Sequence, residues 1–302
     1  MESESHKHQA HEHPKKHWYD RYYKVMLLPP IILLVLSFIY LASFYASNGD
    51  FILKDSSLSG GTTITIQADA DNVMLETALK EKFPDSYVRT ITDISTGKHI
   101  ALLVSSSATP EELQPEIEKI LGIELTSENS NVEFSGSSLG QDFYRQLITA
   151  IIISFVLMSI VIFILFRTFV PSIAVIFAAL ADIVMTLAVV NLIGVRLSAA
   201  GIAAFLMLIG YSVDTDILLT TRVLRKKEVS VNQRIYSSFK TGIFMTLTAL
   251  GAVLPAFFIV TGLPESFRQI FLILAIGLFG DILNTWLTNA SILKWYAEAK
   301  HL

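Results

Sequence analysis

The chain has 302 residues, of which 52% are hydrophobic and 17% charged, and its mean hydropathy is +0.53. This composition is too apolar for an ordinary water-soluble domain and indicates a membrane protein. A formal net charge of −4 gives no reason to expect nucleic acid as a partner, and the lack of cysteine excludes disulfide bonds.

The first 24 residues are polar and show no apolar periodicity, which predicts a disordered tail at 1–24. Five histidines lie in this tail, at positions 6, 8, 11, 13 and 17. Their spacing matches no defined zinc pattern, so a metal site is the weaker interpretation. The tail also lacks the three regions of a signal peptide, and we expect the apolar stretch after it to be a retained anchor.

Six apolar stretches are long enough to cross a bilayer, since a span needs about 20 apolar residues to cover roughly 30 Å of hydrocarbon. They lie at 28–46, 146–166, 170–193, 198–221, 236–261 and 267–292. We therefore predict an α-helical membrane protein with six transmembrane helices. The first helix occupies 25–46, a five-helix bundle occupies 146–293, and a short tail occupies 294–302.

The polar segment 47–145 lies between the first and second spans and is predicted to be one inserted domain. Strand-like alternation at 60–67, 86–95 and 98–106 is combined with helical spacing at 70–83 and after Pro110, and NVEFSG offers a last strand. Thr96 and Gly97 are predicted to form a hairpin turn between the second and third strands. The order β-α-β-β-α-β is that of an α+β ferredoxin-like domain.

The distribution of basic residues predicts the orientation in the membrane, because positive charge in short loops stays on the cytoplasmic side. Among the short loops of the opposite side, only Arg196 and Arg268 are basic. We expect both termini to be cytoplasmic and 47–145 to be extracytoplasmic. The basic residues assigned to the cytoplasmic side are Lys7, Lys15, Lys16, Arg21, Lys24, Arg167, Arg222, Arg225, Lys226, Lys227, Arg234, Lys240, Lys294 and Lys300.

Five ionisable residues fall inside predicted spans. A carboxylate near the centre of a bilayer costs about 2.5–3.5 kcal/mol on insertion scales, so each one needs a physical reason. Four of the five are aspartates and one is a lysine, and we take all of them as candidates for ion coupling: Asp182, Asp214, Asp216, Asp281 and Lys240.

Asp214 and Lys240 are predicted to lie at similar depths, close enough to pair. A buried aspartate beside a lysine changes its net charge and its packing when it gains or loses a proton, which is the unit of a proton-driven switch. Asp216 is two residues from Asp214, about 200° around the helix, so the two cannot face the same neighbour. The alternative is that these aspartates only accept hydrogen bonds from Ser and Thr, or stay protonated as structural links between helices.

Several motifs taken together resemble those of the SecF subunits of the SecDF protein-export complex, relatives of the RND transporters. They are SGSSLGQDF at 135–143, FRTFVPS at 166–172, LADIVMT at 180–186, GYSVDTDILLTTR at 210–222 and FKTGIFMTLTAL at 239–250. The resemblance runs from about residue 24 to the last helix, and the VDTD form is similar to the archaeal branch.

The resemblance implies an accessory subunit of the Sec protein translocation machinery. Such a subunit pairs with SecD in a twelve-helix unit, docks on the Sec translocon and promotes export of an unfolded polypeptide across the cytoplasmic membrane. Export of this kind is coupled to the ion gradient, and membrane lipid is the surrounding partner. The resemblance implies neither an enzyme nor a cofactor.

The resemblance also gives roles to single positions. Gly210, Tyr211, Ser212 and Arg222 belong to the motif of the fourth span. Asp214 matches the aspartate of the SecD form of this motif, and Lys240 falls where bacterial SecF has an arginine at the start of its fifth helix. Asp182 falls on the aspartate of a His-Asp-Val element in the third helix.

Two other functions are compatible with the residues. One is an RND-type proton-coupled exporter of lipids or hydrophobic small molecules, although this chain has neither a second large outer domain nor an internal duplication of six helices. The other is a purely structural stabiliser of SecD without ion chemistry. No GxxxxGK[ST] sequence, metal triad or nucleophile with its base occurs, so an ATPase is not expected.

Overall fold

The computed structural model describes residues 18–68, 70–92, 99–225, 229–259 and 265–300. Six of its helices are long and apolar enough to cross a membrane, which confirms the six predicted spans. They occupy Tyr19–Asn48, Ser137–Phe166, Phe169–Leu192, Ala199–Leu224, Val231–Phe258 and Ser266–Ala299. The histidines of the tail and the turn at Thr96 and Gly97 lie outside the described residues.

The first span consists of two helices, α1 (Trp18–Met26) and α2 (Leu28–Asn48). Pro29 and Pro30 lie in the first turn of α2, where a missing N–H does not interrupt the helix. Residues 18–24 were expected to belong to a disordered tail, and that expectation is wrong. Tyr23 is buried, and its hydroxyl donates to Glu298 at 3.0 Å.

Lys294 explains why α1 packs against the bundle. This residue was assigned to a cytoplasmic tail, but it is 1% exposed and lies in the last helix. Its ammonium group donates to Asp20 of α1 and to Asn232, and it lies 4.5 Å from the centroid of the Tyr19 ring. A buried cation needs such partners, so the ion pair fastens α1 to the end of the chain.

The inserted domain begins with a short helix, α3 (Ser56–Ser59), and contains four strands and two longer helices. These are β1 (Gly61–Ile66), α4 (Asn72–Lys80), β2 (Tyr87–Thr92), β3 (His99–Ser106), α5 (Pro110–Leu121) and β4 (Ser130–Ser135). The strands form one antiparallel sheet in the order β2-β3-β1-β4. This order and the sequence of elements confirm the ferredoxin-like fold.

One face of the sheet forms a small hydrophobic core with α4 and α5. Ile64 and Val104, which are partners across β1 and β3, are fully buried against Leu75, Leu113 and Ile117. Asp71 and Thr109 cap the two helices through their side chains. The other face of the sheet is more polar and is turned toward the membrane helices.

The bundle contains α6 (Ser137–Phe166), α7 (Phe169–Leu192), α8 (Ala199–Arg225), α9 (Val231–Ile259) and a last span in three parts. These parts are α10 (Glu265–Leu283), a π-helical turn (Asn284–Asn289) and α11 (Ala290–Ala299). Most residues in the apolar windows of α7, α8 and the last span are buried, whereas few are in α2, α6 and α9. The helices α7 and α8 and the last span therefore form the centre of the bundle.

Main-chain contacts join the inserted domain to the bundle. Leu197, just before α8, donates to Leu53 O at 2.6 Å and accepts from Asp55 N at 2.9 Å. The buried Asp55 carboxylate also accepts from Ser56 N and Thr63 Oγ1. Burial raises the pKa of this carboxyl, and its hydrogen bonds oppose that rise. Gln269 of α10 completes the junction by accepting from Ser198 N and donating to the carbonyl of Arg196.

Gly60 lies directly against the first residue of α6, Ser137. Its φ is +85°, and a Cβ atom at this position would lie 2.2 Å from the Cα atom of Ser137. Gly49 at the end of α2 also has a positive φ, +73°, but a Cβ atom there would meet no atom within 4 Å. Gly49 has left-handed helical dihedral angles, whereas the ψ of Gly60 is +154°, a combination that essentially only glycine adopts. Gly60 therefore has both the greater backbone strain and the steric overlap.

Gly49→Ala is expected to lower stability by roughly 1–2 kcal/mol, the cost of a left-handed backbone at a residue with a Cβ atom. Gly60→Ala is expected to lower it by roughly 1–3 kcal/mol more, because the new methyl group overlaps the backbone of α6 and because alanine disfavours the backbone conformation of Gly60. The measurement is thermal unfolding of the detergent-purified chain. Equal losses in the two variants would contradict the close contact.

Candidate functional site

Three of the predicted aspartates meet in the centre of the bundle. Asp182 comes from α7, Asp216 from α8 and Asp281 from α10, and each of them is fully buried. We call these three residues the acidic cluster. Because α7, α8 and the last span are the central helices, the cluster lies away from both the lipid and the aqueous ends of the bundle.

Asp182 joins all three central helices through hydrogen bonds. Its Oδ2 atom accepts from the hydroxyl of Ser212 in α8. Its Oδ1 atom accepts from Asn284 Nδ2 in the π-helical turn at 2.6 Å. Both oxygens are therefore held by neighbours that come from other helices.

Asp216 and Asp281 share one hydroxyl group. Thr285 Oγ1 lies 2.9 Å from Asp216 Oδ1 and 3.0 Å from Asp281 Oδ1. Asp216 Oδ1 also accepts from Asn289 Nδ2 at 2.6 Å. The second oxygens of both carboxyl groups are buried and have no hydrogen-bond partner in the part of the chain that the structure describes.

Hydrogen counting indicates that this arrangement can hold a proton. A hydroxyl group has one hydrogen to donate, so Thr285 satisfies both carboxyl groups only when one of them carries a proton and donates to it. In the described ranges, no basic side chain lies within ion-pair distance of the acidic cluster. Without a counter-ion, ionised carboxylates at this depth are costly, so gain and loss of a proton would change the hydrogen bonds between the helices.

The π-helical turn supplies the partners that sequence reasoning missed. Asn284 and Asn289 are five residues apart, a separation that a π-helix aligns because its hydrogen bonds run from residue i to residue i+5. In a regular α-helix the same separation points in different directions. In the sequence, the signal for these partners is a set of four polar residues within an apolar span, Asn284, Thr285, Thr288 and Asn289. All four are buried in the structure.

The expected ion pair between Asp214 and Lys240 is absent from the described residues, and both side chains are exposed in this chain. The opposite faces of α8 explain this correction. Ser212, Asp216 and Thr220 lie on the face that packs against α7 and the last span. Asp214 therefore points outward, on the same side as Tyr211, which is 51% exposed.

The remaining motif residues divide between the two faces of α8. Ser212 donates to Asp182 of the acidic cluster, whereas Gly210 is exposed and would have open space around a Cβ atom. Arg222 links α8 to α9, because its guanidinium donates to Ser237 O at 2.8 Å and Thr241 Oγ1 at 3.0 Å. Over the described parts of the chain, no group of three His, Asp or Glu residues is arranged to hold a metal ion.

The fold is similar to that of a solved export protein. The chain matches the crystal structure of SecDF, a translocon-associated membrane protein from Thermus thermophilus, with a TM-score of 0.73 and 18% identity. The match covers 92% of this chain and 38% of that one, so this chain spans less than half the length of SecDF. The architecture is thus that of one part of a SecDF-type membrane protein.

Sequence comparisons define the family. A family model described as protein export membrane protein SecD/SecF, C-terminal, matches residues 118–299. The chain is 36% identical over 277 residues to protein-export membrane protein SecF of Methanolacinia petrolearia, covering 91% of this chain and 94% of that one. It is 37% identical over 278 residues to SecF of Methanocaldococcus jannaschii, covering 91% and 95%. The chain belongs to the SecF family of protein-export membrane proteins.

Substitution of the two neighbouring aspartates of α8 is expected to have different effects on the isolated chain. Asp216→Leu leaves Asn289 Nδ2 without its acceptor, at roughly 1–3 kcal/mol for the unpaired group, while Thr285 keeps Asp281 as a partner. Asp214→Leu removes an exposed charge that has no partner among the described residues and should leave stability unchanged or raise it. Thermal unfolding in one detergent compares the two variants, and a larger loss in the Asp214 variant would contradict the assigned faces.

Proposed function

We propose that this chain is an accessory subunit of the Sec protein translocation machinery that pairs with SecD and promotes export of unfolded polypeptides across the cytoplasmic membrane. Membership of the SecF family supports this function over the alternative of an RND-type exporter of lipids or small molecules. In this proposal both termini are cytoplasmic and the ferredoxin-like domain is outside, as the loop charges predict.

The observation that best supports pairing with SecD is a pair of exposed charges on α8 and α9. Asp214 and Lys240 lie in two neighbouring spans and face away from the centre of this chain. A charged side chain facing hydrocarbon is costly, so this face is expected to be covered by another membrane protein. We assign SecD to that position, where its own helices would supply partners for both charges.

The position of the acidic cluster supports coupling to an ion gradient. Asp216 and Asp214 are on opposite faces of the same helix, so a change in the cluster's hydrogen bonds would move the face that meets SecD. The same helices carry the inserted domain, since Leu197 precedes α8 and Gln269 lies in α10. Repacking of the bundle would therefore reach the ferredoxin-like domain, which in this proposal contacts the exported chain or the outer domain of SecD.

A purely structural role has one observation in its favour. Asp182 accepts hydrogen bonds from both sides and would link three helices whether or not ions move. This interpretation predicts no dependence of export on the gradient through these residues. It also predicts that any substitution that preserves folding and assembly preserves activity.

Pairing with SecD is tested by cross-linking, which the chain suits because it contains no cysteine. Single Asp214→Cys and Lys240→Cys variants are expected to form cross-links with cysteines placed in SecD helices. Leu157→Cys and Val161→Cys are the controls, because these residues are exposed on α6. Cross-linking to SecD from α6 but not from α8 or α9 would contradict the proposed interface.

Ion coupling is tested by export into membrane vesicles with and without an imposed gradient. Asp216→Asn, Asp214→Asn and Lys240→Leu are each expected to copurify with SecD while losing the stimulation by the gradient. Each of these variants lacks one of the charged or titrating groups of the proposed coupling, so export with the gradient should fall to the level measured without it. Full stimulation in all three variants would leave only the structural role.

A further inference from the structure

A hydrogen-bonded ionic network joins the first and last helices of the chain, outside the acidic cluster. Lys294 of α11 donates to Asp20 of α1 and to Asn232 Oδ1 at the start of α9. Asn232 Nδ2 in turn donates to Asp20 Oδ1 at 2.7 Å, so the three side chains form a closed ring of contacts between three helices. We call Asp20, Asn232 and Lys294 the terminal network.

Lys294 is the member of the network that depends most on its partners. It is 1% exposed, whereas the side chain of Asp20 is 25% exposed. Its Nζ atom lies 4.5 Å and 5.1 Å from the ring centroids of Tyr19 and Tyr23, and 3.8 Å from Glu298 Oε1. Because a buried cation needs such partners, these contacts set the direction in which α11 presents Lys294.

The terminal network also sets the direction of Asn289, because a regular helix joins the two. Asn289 is the last residue of the π-helical turn, and α11 follows it directly. Lys294 is five residues further along, about 7.5 Å on the helix axis. Asn289 donates to Asp216 Oδ1 at 2.6 Å. A turn of α11 that separates Lys294 from Asp20 would therefore also move Asn289 away from its acceptor.

Apolar packing would not fix this direction by itself. Ala290, Leu293 and Ala297 belong to one hydrophobic cluster with Leu219 and Val223 of α8. Hydrophobic contacts are non-directional, and two of the three side chains from α11 are methyl groups, so these contacts hold α11 near α8 but allow it to turn. A hydrogen-bonded ion pair depends on direction as well as distance. The terminal network is thus the contact that orients α11 after the irregular π-helical turn.

We propose that Asp20 and Lys294 are positioning residues for ion coupling at the acidic cluster. Through α11, their ion pair holds Asn289 against Asp216 and so keeps the cluster in the arrangement that can gain and lose a proton. The proposal rests on the proposed coupling function. It gives α1 a role in coupling as well as in anchoring the chain.

The test measures export in membrane vesicles that contain the chain with SecD, as the ratio of export with an imposed gradient to export without it. Lys294→Met keeps a long side chain and leaves no buried cation, and Asp20→Leu breaks the same pair from α1. Both variants and the double variant are expected to lose most of the stimulation to the same extent, because residues that act as one unit have non-additive effects. Arg21→Leu is the matched control, since it removes a charge from the exposed face of α1 and should keep the wild-type ratio.

Cysteine labelling measures the orientation of α11 directly, since the chain contains no cysteine. Ala297 is buried and Ala299 is exposed on the same helix. In the complex with SecD, Ala299→Cys is expected to react with a water-soluble maleimide and Ala297→Cys to be protected. Adding Lys294→Met should raise the labelling rate of Ala297→Cys by roughly tenfold or more, because the buried ion pair no longer holds the helix. Adding Arg21→Leu should not change it.

The proposal is overturned if Lys294→Met and Asp20→Leu keep the wild-type ratio, or if Lys294→Met leaves Ala297→Cys protected. Equal losses of export with and without the gradient would show a structural role only and would also overturn it. If Asp216→Asn keeps the stimulation too, the coupling function fails and this proposal with it. Loss of stimulation in Asp216→Asn alone overturns only the role of the terminal network. If Asp20→Leu does not fold, Lys294→Met decides both measurements.

Discussion

The hydrocarbon interior of a bilayer offers no hydrogen bonds, so every carboxyl group placed there must obtain them from another helix. That constraint organises the centre of this protein. Asp182, Asp216 and Asp281 come from three different helices and are held by hydroxyl and amide groups of their neighbours. The polar groups that these aspartates require are also the contacts that fix the register of the central helices.

Much of this architecture was accessible from the sequence because it follows from local patterns. Long apolar stretches predicted the six spans, and alternating periodicities predicted the ferredoxin-like order of strands and helices in the inserted domain. The four intramembrane aspartates were also found, because charge is rare in such segments. Each of these features depends on residue type and spacing within one element.

The features that could not be predicted from the sequence depend on which helices pack against each other. Asp214 and Asp216 both have hydroxyl-bearing neighbours on their faces, so periodicity alone did not show which one faces the centre. The π-helical turn changes the direction of Asn289 relative to Asn284. The α-helical periodicity used to predict the spans does not include such a turn. Residues 18–24 looked like a tail because the partners that stabilise them, Lys294 and Glu298, are almost the whole chain length away.

The π-helical turn between α10 and α11 has a mechanical consequence. A π-turn contains one residue more than the α-helix needs for the same rise, and conversion to regular α-geometry would rotate everything beyond it by about 100°. Asn289 would then leave Asp216, and Lys294 would swing away from Asp20. Such a conversion at the aspartates would turn the final helix, α11, about its own axis.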